Sequence, residues 1–238
     1  MTAYHELITW MASVEGTEVA LLPTDNWQFA VLDPATARRA AVLILFGEQD
    51  ALPSGPDVVP SVVPRAPRRS GDHGELDILF VMRSGSLTNH PGQVAFPGGA
   101  IDGDDRDEIA AALREAYEET GLDPLGVEVL GVLPEVGLPV SNFLVTPVLG
   151  WWAEQSPVHA VDTAESELVF RAPVSALLDP ERRRTAVVRR NGFTSSTPAF
   201  LLPEAVIWGF TAMLLDGVFE GLGWTRPWDA AREIPAPL

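Results

Sequence analysis

The sequence predicts a single α/β domain of the α+β kind, with a mixed β-sheet held between helices. Three observations predict it. The pattern along the chain changes in the order strand, strand, helix, strand, strand, helix, which suits helices covering the faces of one sheet. Residues 40–46 are apolar without interruption and stop at Gly47, as in a strand covered on both faces. No internal repeat and no linker divides the 238 residues, 46% of which are hydrophobic, so one sizeable core can be buried.

In chain order, residues 3–13 predict a short helix with Leu7, Trp10 and Met11 on one side. Residues 27–32 predict a strand and residues 34–39 a connector before the apolar strand 40–46. Residues 48–75 hold five prolines and three glycines and predict a long loop. Its Arg65, Arg68 and Arg69 belong either to a solvated insertion, the favoured reading, or to a flap that brings arginines to a phosphate. Residues 76–83 form the next strand, and a hairpin with 40–46 would set Arg83 near the loop that leads to His90. Residues 93–96 are a short strand entering Pro97-Gly98-Gly99, where two glycines let the backbone approach a ligand closely. The helix 107–120 follows. Strands are expected at 127–133 and 143–150 with a loop at 134–139 between them. Trp151 and Trp152 are read as core or as a stacking platform for a base, core being favoured for at least one. Residues 164–172 lead into a short helix at 173–180. Residues 182–190 and 193–202 predict a hairpin whose arginines form either a phosphate rim or internal ion pairs. A helix from Val206 to about Glu220 is apolar nearly all round, so it is buried in the domain or in a homodimer interface. The tail from Trp224 is expected to be irregular.

Composition excludes several classes. There is no cysteine, hence no disulfide, thiol nucleophile or thiolate metal site. The formal net charge is −17, which argues against nucleic acid and anionic membrane surfaces as partners. All sixteen basic residues are arginine. The apolar runs are too short to span a bilayer, and the first residues lack the basic start of a signal peptide, so a cytoplasmic location is expected.

The helix 107–120 carries the chemistry. At 100° per residue, Glu115, Glu118 and Glu119 fall within one arc of about 100°. Ile109, Ala112, Leu113, Ala116 and Thr120 form the apolar stripe beside them. One face is expected to pack on the core while the three carboxylates converge on the solvent side. Arg114 can pair with Glu118 four residues on. Carboxylates this close repel one another unless a divalent cation joins them, and Mg²⁺ (or Mn²⁺) suits one or two carboxylates together with a phosphate-bearing substrate.

The stretch Arg114-Glu115-Ala116-Tyr117-Glu118-Glu119-Thr120-Gly121-Leu122 behind Gly98-Gly99 resembles the signature of the Nudix hydrolases, which cleave nucleoside diphosphates linked to another group. The loop from Gly99 to Arg114 is one residue longer than the general pattern. The position where that pattern carries a glutamate is Arg106; Asp102 and Asp105 lie nearby. Residues 83–99, from Arg83-Ser84-Gly85 through His90-Pro91-Gly92-Gln93 to Phe96-Pro97-Gly98-Gly99, are similar to the extra motif of the coenzyme A pyrophosphatases within that family, which share the longer loop and the two aspartates. Thr88 departs from that motif, which usually has an arginine there. The segments 129–148 and 207–212 are similar to the same subfamily.

The resemblance implies the Nudix α/β/α sandwich, with a Nudix domain over 37–222 that contains the insertion 48–75. Residues 1–36 would be an N-terminal extension and 223–238 a tail. It implies metal ligation by Glu115, Glu118, Glu119 and the Gly99 carbonyl, with Arg114 orienting the glutamates. Glu165 would be an extra acidic group with Glu167 next in line, and Arg83, His90 and Gly98 would face the substrate. The expected reaction is hydrolysis of a pyrophosphate bond in a small nucleotide, coenzyme A or acyl-coenzyme A giving 3′,5′-ADP and a 4′-phosphopantetheine derivative. The alternatives are ADP-ribose, a dinucleotide or another nucleotide as substrate, or a Nudix-fold module that senses a nucleotide without cleaving it.

Overall fold

The computed structural model describes residues 2–14, 32–33, 35–49, 73, 75–85, 92–138, 141–190 and 192–237. The strand expected at 27–32 lies outside them except for Leu32. So do Arg65, Arg68 and Arg69 of the insertion, and Thr88 and His90.

The first helix, α1 (Ala3–Val14), turns Leu7, Trp10, Met11 and Val14 inward. Strands β1 (Arg38–Glu48) and β2 (Leu76–Arg83) pair antiparallel only at their hairpin end, from Phe46↔Ile78 to Glu48↔Leu76. Gln49 N–H donates to the Glu75 carbonyl at 2.6 Å across the mouth of the insertion. Seven residue steps along β2, about 23 Å at 3.3 Å each, separate this mouth from Arg83. Beyond it the strands part and the chain re-enters between them. β3 (Val94–Ala95) pairs with β2, and β4 (Gly98–Ala100) pairs with β1 through Ala40↔Ala100, Ala41↔Gly99 and Val42↔Gly98. Leu43 N–H donates to the Pro97 carbonyl at 2.8 Å between them.

Helix α2 (Glu108–Thr120) follows. The Asp107 carboxylate caps its start by accepting from Ala110 N–H at 2.7 Å. Gly121, at φ +68°, ends it by donating to the Tyr117 carbonyl. β5 (Val127–Val132), β6 (Val136–Leu138) and β7 (Phe143–Trp152) come next. β7 runs parallel to β1 from Arg38↔Phe143 to Phe46↔Trp151, and β5 and β6 lie antiparallel along its other edge. β8 (Ser166–Pro173) pairs antiparallel with β2. Among the described residues these eight strands make one mixed sheet. The expected loop 134–139 therefore contains a strand, because Val136–Leu138 finds the free edge of β7.

A short helix, α3 (Val174–Leu177), leads to a second sheet. It holds β9 (Arg183–Arg190), β10 (Phe193–Leu201), β11 (Val206–Ile207) and, after helix α4 (Gly209–Gly221), β12 (Glu233–Pro235). The last helix thus begins at Gly209 rather than Val206, since Val206 and Ile207 pair with Leu201 and Phe200. The tail is ordered too, with β12 parallel to β9. Arg183 anchors it. Its guanidinium lies over Phe200 and Trp228, 4.2 and 4.6 Å from the ring centroids, and pairs with Asp216 at 2.5 Å. Arg182, Arg189 and Arg232 pair with Asp179, Glu233 and Glu181. The arginine-rich hairpin is thus held mainly by internal ion pairs.

Alternation along the central strands sorts the core into two layers. Ala41, Leu43, Leu45, Leu79, Val81, Val148, Trp152 and Val169 face α2 and meet Ala111, Ala112 and Ala116. Ile44, Phe46, Ile78, Phe80, Leu149 and Phe170 face the other way, toward α1, α4 and the second sheet. The sandwich expected from the sequence is the observed architecture, and β1 is covered on both faces. Trp152 is core, and Trp151 packs on Tyr4 of α1. Helix α4 buries its apolar residues within this chain. Among the described residues no helix is long and apolar enough to cross a membrane.

Three alanines at the contact let α2 lie close to the sheet. Ala111, which the sequence stripe omitted, is as buried as Ala112, both at 0% exposure. Ala112→Asp puts an unpaired charge there and is expected to lower stability by about 3 kcal/mol or more, measured by urea unfolding. Parent-like stability would contradict this packing.

Candidate active site

Helix α2 lies over β4 so that two glutamates meet two glycines. Gly98 N–H donates to Glu119 Oε2 at 3.0 Å. A side chain at Gly98 would collide with the Ala41 carbonyl and Val42, and a Cβ at Gly99 would stand 2.5 Å from the Glu115 carboxylate. Gly99 therefore makes the space that the Glu115 carboxylate occupies, and Gly98 lets β4 lie close against β1. The amide of Gly98 is thus engaged by Glu119.

This corrects the placement of the glutamates. Of the three, only Glu118 is exposed; Glu115 and Glu119 are half-buried between the helix and the strand. Their arc borders the apolar stripe, and with no side chain on β4 beneath them they settle inward. The cost appears in their acidity. Burial pushes the Glu115 carboxyl above its ordinary value and the Glu119 carboxyl up to about 7. Glu115 and Glu165 add repulsion at Glu119, while the Gly98 hydrogen bond and the charge of Arg83 work the other way.

Arg83 and Glu165 thus share the electrostatic neighbourhood of Glu119, although both lie far from it in sequence. The register of β2 against β8 shifts between Met82 and Arg83, the kind of bulge that re-aims a side chain. Arg83 Nε is buried without a hydrogen-bond partner among the described residues. The segment 158–165 carries Glu165 into place. His159 and Val161 N–H groups donate to the Thr120 and Glu119 carbonyls at 2.9 and 3.2 Å, which a helix end otherwise leaves without partners. Ser84 N–H donates to the Glu165 carbonyl at 2.8 Å, and Gly85 N–H to Glu167 Oε2 at 3.2 Å.

Arg114 organises the other side. It pairs with Glu118 as expected, Nη1 to Oε2 at 3.0 Å, and Nη1 also reaches Glu115 Oε1 at 3.0 Å. Its Nε and Nη2 grip Asp105 at 3.0 and 2.8 Å, and Nη2 donates to the Ala100 carbonyl at 3.1 Å. Asp102 stands off at 3.7 Å. Between the two aspartates left open by the sequence, Asp105 is the partner of the arginine. Its carboxyl is held below its ordinary value, chiefly by the Arg114 hydrogen bonds. The longer loop was the signal for it, since an added residue must shift the acidic partner away from position 106.

Among the described residues no three acidic or histidine side chains already stand close enough to hold an ion together, and Glu118 is drawn to Arg114. The donors nevertheless fit a hard divalent cation. Glu115 and Glu119 offer carboxylate oxygens beside the open backbone of Gly99, and burial leaves them short of positive charge.

The NUDIX domain family model matches residues 65–187, just over half of the chain. The protein named "Uncharacterized Nudix hydrolase NudL" from Enterobacter sp. (strain 638) is 40% identical over 138 residues, covering 58% of this chain and 71% of its own length. The NudL protein of Escherichia fergusonii is 41% identical over the same shares. Among solved structures, a MutT/nudix family protein from Enterococcus faecalis covers 92% of this chain and 74% of its own at 14% identity, with a TM-score of 0.45. By the family match and the two NudL relatives, the chain belongs to the Nudix family of pyrophosphohydrolases, enzymes that hydrolyse pyrophosphate bonds in nucleotide derivatives.

Proposed function

We propose that this chain hydrolyses the pyrophosphate bond of coenzyme A or acyl-coenzyme A, with Mg²⁺ or Mn²⁺ as cofactor, releasing 3′,5′-ADP and a 4′-phosphopantetheine derivative. One observation carries the substrate class. Two stretches that resemble the coenzyme A subfamily, 83–99 and 207–212, meet in space. Thr211 Oγ1 donates to the Val94 carbonyl at 2.9 Å where β11 packs on β3. This contact between the two subfamily-like segments, at Val94 just ahead of the Gly98–Gly99 strand, supports the reading.

Glu115, Glu118 and Glu119 with the Gly99 carbonyl would hold the metal. When bound, it supplies charge neutralisation on the diphosphate and orients the attacking water. Arg114 keeps Glu115 and Glu118 in orientation. Arg83 binds a substrate phosphate with its otherwise unpaired edge. An acidic side chain of the cluster takes the proton from water, and Glu119 and Glu165 are the candidates. The cation requirement follows from charge: the chain is strongly acidic overall, so its field near an anionic substrate must be inverted locally. Thr88 favours a second reading in which the substrate is ADP-ribose, a dinucleotide or another nucleotide. The full set of glutamates favours an enzyme over a nucleotide sensor.

The test is a product assay with Mg²⁺ over coenzyme A, acyl-coenzyme A, ADP-ribose, NADH and diadenosine polyphosphates. Release of 3′,5′-ADP from coenzyme A compounds alone is expected. Cleavage of another member only would discard the substrate class, and tight binding without cleavage would make the protein a sensor. Glu119→Gln is expected to slow turnover by about 100-fold or more without lowering the melting temperature of the metal-free chain, since it removes a desolvated charge. A near-normal rate would remove Glu119 from the mechanism. Arg83→Ala is expected to raise KM about tenfold or more, as for loss of a charged hydrogen bond; an unchanged KM would assign Arg83 to structure.

A further inference from the structure

We propose that Arg114 is a resident counter-ion of the metal site, whose Nη1 competes with a divalent cation for oxygens of Glu115 and Glu118, and that Asp105 sets the strength of that competition. This rests on the metal-dependent reading above and adds to it a determinant of metal affinity.

A guanidinium has five N–H donors, and Arg114 uses all five. Three face away from the metal side. Nε and one Nη2 proton go to the two Asp105 oxygens, at 3.0 and 2.8 Å, and the other Nη2 proton goes to the Ala100 carbonyl. The remaining two, on Nη1, go to Glu115 Oε1 and Glu118 Oε2, both at 3.0 Å. The planar group is therefore divided into an anchored edge and a bridging edge. The anchor is largely dry, since the Asp105 side chain is only 6% exposed. Glu118, 53% exposed, is held at the bridging edge from the solvent side.

This division has an electrostatic consequence. Nη1 bridges two carboxylates, as a cation would. Nη1 holds one oxygen of each carboxylate, so an incoming divalent ion either displaces it there or binds the second oxygens with the guanidinium beside it, and the anchored edge stops that group from swinging clear. Arg114 therefore remains as a positive charge beside the ion, partly offset by Asp105. The same bridge accounts for Glu118 standing apart from a ready-made three-carboxylate cluster.

The two partners then act on metal affinity with opposite sign. Arg114→Gln removes the competitor and leaves the Asp105 charge behind, so metal should bind more tightly. Asp105→Asn leaves the guanidinium charge without its offset and frees it toward Glu115 and Glu118, so metal should bind more weakly. A scaffold that merely orients the glutamates predicts weaker binding in both.

The experiment is Mn²⁺ titration of the full chain by calorimetry and electron paramagnetic resonance, with circular dichroism to verify folding. Arg114→Gln is expected to tighten Mn²⁺ binding by about three- to tenfold while turnover falls, and Asp105→Asn to weaken it by a similar factor, as for the loss of two partly exposed ion pairs. Arg114→Lys keeps the charge but not the fork that holds Asp105 and both glutamates at once, so its freed ammonium should weaken Mn²⁺ binding relative to the parent. If Arg114→Gln does not fold, the Asp105→Asn and Arg114→Lys pair carries the test. Weaker binding in both Arg114→Gln and Asp105→Asn, or an unchanged affinity in Asp105→Asn, overturns the counter-ion role. If the parent turns over substrate with Mn²⁺ in that case, only this inference is lost. A parent that neither binds Mn²⁺ nor turns over substrate overturns both readings.

Discussion

The site depends on one close approach, that of α2 to the two glycines that begin β4. The Glu115 carboxylate occupies the volume that a methyl group at residue 99 would fill, and Glu119 accepts from the amide of residue 98. Everything around this contact serves to bring it about. β1 and β2 separate after three residue pairs so that β4 can enter the sheet beside Ala41 and Val42. Alanines 111, 112 and 116 keep the helix low on the sheet. The Asp107 cap and the Gly121 turn fix where the helix starts and stops, and so which turn lies over the glycines.

The outcome is a pair of carboxylates partly removed from water and close to one another, which isolated folding would disfavour. The surrounding chain limits the penalty without abolishing it. Arg114 neutralises one side and is itself held by Asp105, while Arg83 approaches from β2. The segment 158–165 caps the carbonyls at the end of α2 and thereby ties Glu165 to the same frame as Glu119. On the proposed reading, the residual shortage of positive charge would make the site a receptor for a cation and, through it, for a diphosphate.

Much of this was legible in the sequence because it is local. The glutamate helix, its terminal glycine, the glycine pair and the buried strand at 40–46 are written in spacing and periodicity. What escaped was set by tertiary contacts. Whether Glu115 and Glu119 face water or the strand depends on what lies under the helix, and helical periodicity alone does not report that. The choice of Asp105 over Asp102 depends on the path of an exposed turn. Val136–Leu138 and Glu233–Pro235 became strands because free edges of β7 and β9 were available to them. The arginine-rich hairpin, open to two readings, was decided largely by acids such as Asp216 and Glu233, distant in sequence. The resemblance to the Nudix family carried the reaction class, and the family match bears it out.

On this reading the glycine strand and the inward glutamates together would form the cation site. Anomalous diffraction from crystals grown with Mn²⁺ would test it most directly. A manganese peak is expected between Glu115 and Glu119 beside the Gly98–Gly99 strand, with Glu118 drawn away from Arg114. A peak on the exposed Asp102 and Asp104, with none at the glycine strand, would contradict it.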